Sequence, residues 1–158
     1  MAEKTPRPTE VLEGHIGYLL SKLGALSGAR FDTVLAPFGI NRMQFGLLKI
    51  LDAAGPSSQN VLSSDLGMPP SRMVALVDDL EDQGLVARER SDTDRRVNVI
   101  RLSSRGRTVL TRTNSAALQW EDELLGELSA AERSQLIGLL RRVASRHVLR
   151  APAEDADR

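Results

Sequence analysis

The sequence predicts a mainly α-helical chain with a small β-hairpin, and three observations predict it. Apolar residues recur at helical spacing through most of the 158 residues. Capping residues, glycines and prolines punctuate those stretches where helices should start and stop. Only around residues 85–102 does the period change to short β-type runs flanking a polar turn.

The elements follow in order. From Thr9 to about Leu35, residues such as Val11, Ile16, Leu19, Leu23 and Leu26 repeat on one face, predicting a long first helix ended by Pro37 and Gly39. Asn41 with Gln44 three residues on resembles a capping box and opens a second helix through Leu51. Ala-Ala-Gly-Pro-Ser-Ser is a break, after which Ser57 or Ser58 caps a short helix that stops at Gly67. Pro69-Pro70 starts the next helix, which turns Met73, Leu76, Val77 and Leu80 inward and stops at Gly84. Two short helices joined by Gly-Met-Pro-Pro have the layout of a helix-turn-helix. Leu85–Arg90 and Val97–Leu102 then flank Ser-Asp-Thr-Asp-Arg-Arg as a hairpin. Ser103 caps a long helix to about Leu125, Gly126 breaks it, and the Ser129–Glu132 capping box opens a last helix towards His147. A helix-turn-helix followed directly by a hairpin with a basic tip is a winged helix-turn-helix plan. Residues 1–8 and 151–158 read as frayed, disordered ends.

Composition narrows the function. With no cysteine, disulfides, thiolate metal sites and thiol redox control are excluded, and two histidines rule out a His-rich metal site. No apolar run reaches the roughly 18 residues that span a bilayer, and the polar N-terminus lacks a signal-peptide centre, so no membrane partner and a cytoplasmic location are expected. There is no Gly-x-Ser-x-Gly, no phosphate loop and no nucleophile spaced with a base, so the chain is not expected to be an enzyme, and no metal or cofactor is expected. The formal net charge is zero, but the charge is unevenly placed: residues 71–84 sum to −3 and residues 85–112 to +5. A compact basic segment in a neutral chain is a directed electrostatic feature. Arginines outnumber lysines 18 to 3; the guanidinium fork suits phosphates and base edges, although genomic composition produces the same bias.

These features point to double-stranded DNA as partner. The N-terminal side chains of the helix starting near Pro70 can reach base edges in a major groove. Its back half carries Asp78, Asp79, Glu81 and Asp82, which phosphate repels, so only Ser71, Arg72, Val74 and Ala75 are left to face DNA. The hairpin tip adds Asp94, Arg95 and Arg96; an arginine on a thin loop suits a narrow minor groove, and a neighbouring aspartate can hold it rigid. In isolation the two tip arginines are equally an ordinary solvated turn, and Arg72 can instead bridge to aspartates of its own helix.

In FGINRMQFGLLKIL, DLGMPPSRMVALVDDLEDQGLV and RERSDTDRRVNVIRLSSRG the chain resembles the MarR (multiple-antibiotic-resistance regulator) family of transcription regulators, over roughly residues 10–147. The wing signature is present as Asp94, Arg96 and Leu102-Ser103-Ser104-Arg105-Gly106, and the reading-helix signature as Leu76 to Val86. The resemblance implies a homodimer on a pseudo-palindromic operator. It implies a winged-helix DNA-binding domain over 37–103 and a helical dimerisation region over 9–36 and 104–147. It also implies a small-molecule effector in a crevice between the two, releasing what is expected to be a repressor. Where the family often has threonine and a basic residue, this chain has Val74 and Ala75, which leave apolar contacts such as thymine methyls.

For the effector, His15, Leu19, Met43 and Phe45 are the candidate contacts. A histidine cation could pair with an aromatic carboxylate or phenolate, and the other three supply an apolar wall. Each has a plainer reading: His15 as a hydrogen-bonded packing residue, Met43 and Phe45 as core, Trp120 as interface packing rather than ligand wall, and Tyr18 as surface packing. The competing function is a winged-helix protein-interaction module without specific DNA binding. The long first helix and the two C-terminal helices carry more Leu, Ile and Val than one small domain can cover, which also predicts a dimer.

Overall fold

A computed structural model describes residues 8–91 and 98–147, with side chains over 11–91 and 98–145. The order is α1 (Pro8–Glu13), α2 (Ile16–Leu35), α3 (Arg42–Ala54), α4 (Gln59–Asp65), α5 (Pro70–Asp82), β1 (Val86–Arg90), β2 (Asn98–Leu102), α6 (Ser104–Leu124) and α7 (Ala130–His147). None of these helices is long and apolar enough to cross a membrane.

The first helix is not continuous as the apolar spacing predicts. Gly14, a poor helix former, closes α1, and His15 is extended (φ −104°, ψ 116°) as the residue before α2. The apolar stripe runs across this break because α1 and the first turns of α2 keep their apolar residues on the surface. Val11 and Ile16 are 61% and 76% exposed.

The other predicted punctuation is observed. Asn41 Oδ1 accepts from the N–H groups of Met43 (2.9 Å) and Gln44 (3.0 Å), and the Gln44 side chain accepts from Asn41 N–H (2.9 Å), a complete capping box. Ser58 caps α4, Ser103 Oγ accepts from Gly106 N–H (2.8 Å) at the start of α6, and Ser129 with Glu132 opens α7. Gly39, Gly67 and Gly84 take the positive φ that the turns after α2, α4 and α5 require.

β1 and β2 pair antiparallel, with Val86 opposite Leu102 and Arg88 opposite Ile100. A third short partner has no counterpart in the sequence reading: Ser57, just before α4, bridges to Ile100 through two backbone hydrogen bonds (3.2 and 2.8 Å). One isolated residue has no period to read.

The core lies entirely at the end of α2, in α3–α5, in the hairpin and in α6. Leu35, Leu47, Leu48, Leu62, Met73, Leu80 and Ile100 are fully buried there. Beside it, the Phe31 ring meets Phe45 edge-on (5.4 Å) and Trp120 at a tilt (5.3 Å), joining α2, α3 and α6. No described residue of α7 is buried.

Candidate nucleic-acid interface

The helix-turn-helix is built by α4 and α5. Gly67, with φ +57°, lets the Met68 N–H return to the Ser63 carbonyl (2.9 Å), and Met68 then plugs the turn. Pro70 fits the first turn of α5, where its missing N–H costs nothing. As the spacing predicts, Met73, Leu76, Val77 and Leu80 are the buried face. That rotation leaves Ser71, Arg72, Val74 and Ala75 exposed on the opposite side, at the front of the helix. Arg72 makes no ion pair with its own helix among the described residues, so the bridging alternative is not what this structure shows.

The hairpin is fastened beside α5. Leu85 N–H donates to the Leu80 carbonyl (2.8 Å), and Ser103 joins the far strand by donating its hydroxyl to the Gly84 carbonyl (2.7 Å). Gly106 is where α6 crosses Leu85 at backbone contact, which is the physical reason for glycine three residues after the serine cap: a β-carbon there would lie 2.0 Å from the Leu85 oxygen. Glu89 and Arg101 form an ion pair across the strands (2.6 Å). Asp94, Arg95 and Arg96 lie outside the described residues.

One contact was not read from the sequence. Arg88 of β1 donates its N–H to Glu81 Oε1 (3.0 Å), and its guanidinium pairs with both Glu81 and Asp78 of α5. The backbone N–H of Arg88, followed by its side chain, holds the Glu81 carboxyl below the usual carboxylate range. Burial opposes the Arg88 charge, but the hydrogen bonds it donates to Asp78 and Glu81 outweigh it and raise its pKa further. The local charge runs already contained the signal: the first basic residue after the acidic end of α5 is Arg88, six places beyond Asp82.

The candidate effector residues are not brought together in one cavity. Met43 lines a cleft of about 350 Å³ with Asp32, Arg42, Met68, Arg72 and Asp79, between α2, the start of α3 and the front of α5. Arg42 closes one wall by pairing with Asp32 (2.8 Å) over Gly28. Leu19 lies instead in an open groove of about 880 Å³ between α2 and α7, with Ile16, Leu23, Leu136, Leu139 and Val143. Phe45 is half-buried against Phe31 and lines neither. His15 is exposed at the α1–α2 break, is not part of a helical face, makes no side-chain capping bond and lines neither. Among the described residues no group of three or more His, Asp and Glu could hold a metal ion.

The MarR family model matches residues 38–97, which span the second predicted helix through the hairpin turn. An HTH-type transcriptional repressor of Mycobacterium tuberculosis is 27% identical over 130 residues, covering 82% of this chain and 94% of that protein. The transcriptional repressor CouR, solved on a 23-mer DNA duplex, is 30% identical with a TM-score of 0.77 and covers 89% of this chain and 99% of its own. CouR from Rhodococcus jostii RHA1, solved with p-coumaroyl-CoA, gives 26% identity and a TM-score of 0.75, covering 84% and 94% of the two chains.

Proposed function

This chain belongs to the MarR family of transcriptional regulators, and on that premise we propose that it is a repressor that binds a pseudo-palindromic operator as a homodimer and is released by a small effector. The observation that carries the DNA reading is the rotation of α5. Its inward face is wholly engaged in the core, and Ser71, Arg72, Val74 and Ala75 stand exposed together at the end that the turn pushes outward. In a two-fold dimer two such helices enter major grooves about one helical turn apart. Arg72 supplies the polar contact, and Val74 and Ala75 supply apolar ones. Arg95 and Arg96 of the wing add charge and minor-groove contact.

The dimer reading is supported by the apolar groove between α2 and α7, which a second copy would cover. Leu19 belongs to that surface in this reading. The effector reading moves to the cleft in front of α5, where Met43 and Met68 form an apolar wall and Arg72 adds a cation beside Asp79, with Arg42 paired to Asp32. A similar protein, CouR, solved with p-coumaroyl-CoA, supports an aromatic acyl compound as the chemical class. Because Arg72 lines that cleft, His15 becomes a secondary candidate.

The test is selection of bound duplexes from random fragments, followed by titration across a salt series. Phosphate neutralisation makes log K fall steeply with log salt. A selected palindromic site with that dependence is the expected result. Absence of any enriched site, with salt-insensitive binding to another protein, would favour the protein-interaction module. A panel of benzoates, salicylates and hydroxycinnamates should weaken operator binding about fivefold to a hundredfold, the range of ~1–3 kcal/mol couplings, with operator weakening the ligand equally.

A further inference from the structure

The reading helix presents an electrostatic problem. Its last two turns carry Asp78, Asp79, Glu81 and Asp82, and a duplex laid against its front brings phosphates near these carboxylates. Arg88 meets two of the four and offsets one charge. The hairpin register sets Arg88 opposite the buried Ile100, so its side chain leaves the inner face of the sheet and lies against α5, 28% exposed. From there its guanidinium reaches Asp78 with one nitrogen and Glu81 with the other, while its own backbone N–H takes the second Glu81 oxygen. Asp78 and Glu81 are three apart on the helix and share the face that meets the wing. The bonding to a charged fork is of the strong, orienting type.

We propose that Arg88 is a positioning residue for DNA binding: from β1 it offsets the charge of Asp78 and Glu81 along the wing-facing edge of α5, so that a phosphate backbone can lie across that edge. The inference rests on the DNA-binding reading above. Phosphate would then be repelled by the cluster chiefly through Asp79, which lines the cleft in front of α5, and the exposed Asp82. Without Arg88 the net charge of this group goes from −1 to −2 within about a Debye length of the duplex, and the added repulsion is felt most at low salt.

The full-length chain is compared with Arg88→Gln, with Asp78→Asn/Glu81→Gln, and with the triple variant, each titrated with the selected operator and with a random duplex over a salt series. Arg88→Gln should bind both duplexes about threefold to tenfold more weakly at low salt, with the gap closing as salt rises. The triple variant should recover at least wild-type affinity, because the charges that Arg88 masks are gone. A merely structural role would leave the triple variant as weak as Arg88→Gln, and that result, or an Arg88→Gln variant equal to wild type, overturns the proposal. Should circular dichroism show Arg88→Gln unfolded, the double variant decides: it frees the Arg88 charge and should tighten random-duplex binding, and unchanged affinity overturns the proposal. Wild type that binds no duplex removes the DNA reading and this inference with it, whereas wild type that binds alongside an indifferent Arg88→Gln removes only this one.

Discussion

At Gly106 the missing side chain is a condition of the fold: a β-carbon would stand 2.0 Å from the Leu85 oxygen and 2.8 Å from Leu102 Cδ1. Backbone cannot move aside cheaply, so Gly106→Ala should destabilise by about 1–3 kcal/mol, read as a fall in urea midpoint. Gly46, also helical, has nothing within 4 Å of the same added atom, so Gly46→Ala should be neutral or stabilise by up to about 1 kcal/mol. Equal effects at the two sites would refute the packing account. Glu81 gives a pH signature. Its pKa is lowered in the folded chain, so its contribution is present at neutral pH, above the unfolded value near ~4.3, and is lost as pH falls through the lower folded value. The stability gap between wild type and Glu81→Gln, measured by denaturant melts, should therefore shrink from about pH 6 to about pH 3. A gap that stays constant would mean that the carboxylate is not what Arg88 holds. For Arg72→Ala a loss of about 1–3 kcal/mol in operator affinity is expected, with relaxed preference at one base position; gel-shift titrations against single-base operator variants check it.

Helix boundaries were legible because their causes are local. Asn41 and Gln44, Ser103 and Gly106, and Ser129 and Glu132 each complete their hydrogen bonds within three residues, so spacing alone reveals them. The inward face of α5 was legible for the same reason, since Met73, Leu76, Val77 and Leu80 follow the helical period. What was missed depends on distance along the chain or on orientation. Ser57 finds Ile100 across 43 positions, and Arg88 finds Asp78 only once β1 has folded back. The apolar period across Gly14 concealed a break, because periodicity reports a face and not the continuity of the backbone. The wing has its own test at this scale. Replacing Arg95 and Arg96 by Ala should weaken operator binding and reduce the salt slope by up to about two charges' worth, near 0.9 per contact. An unchanged slope would leave the wing tip as a solvated turn.

Across the described residues, burial is lopsided: the core occupies the middle of the chain, while no described residue of α7 is buried and α7 faces the exposed side of α2. An isolated helix of this length is marginal in water. Under the dimer reading its stability comes from a second copy, so Leu19→Asp/Leu139→Asp should give monomers in light scattering and reduced helicity, and the wild-type Tm should rise with protein concentration. A wild-type monomer at micromolar concentration with full helicity would contradict this. The candidate effector residues were the least legible part. His15, Leu19, Met43 and Phe45 combine plausible chemistry, but three-dimensional neighbourhood decides a pocket, and the fold sends Leu19 and Met43 to different surfaces. The aromatic contact between the long helices and the reading unit has a consequence for optics. Trp120 is the only tryptophan in the chain, and its indole rests on Phe31, which in turn meets Phe45. A shift of α2 against α3 or α6 at Phe31 changes the surroundings of one chromophore. Emission wavelength and anisotropy of the unlabelled protein thus follow the angle of that joint in real time, and a stopped-flow trace can time its motion against DNA release.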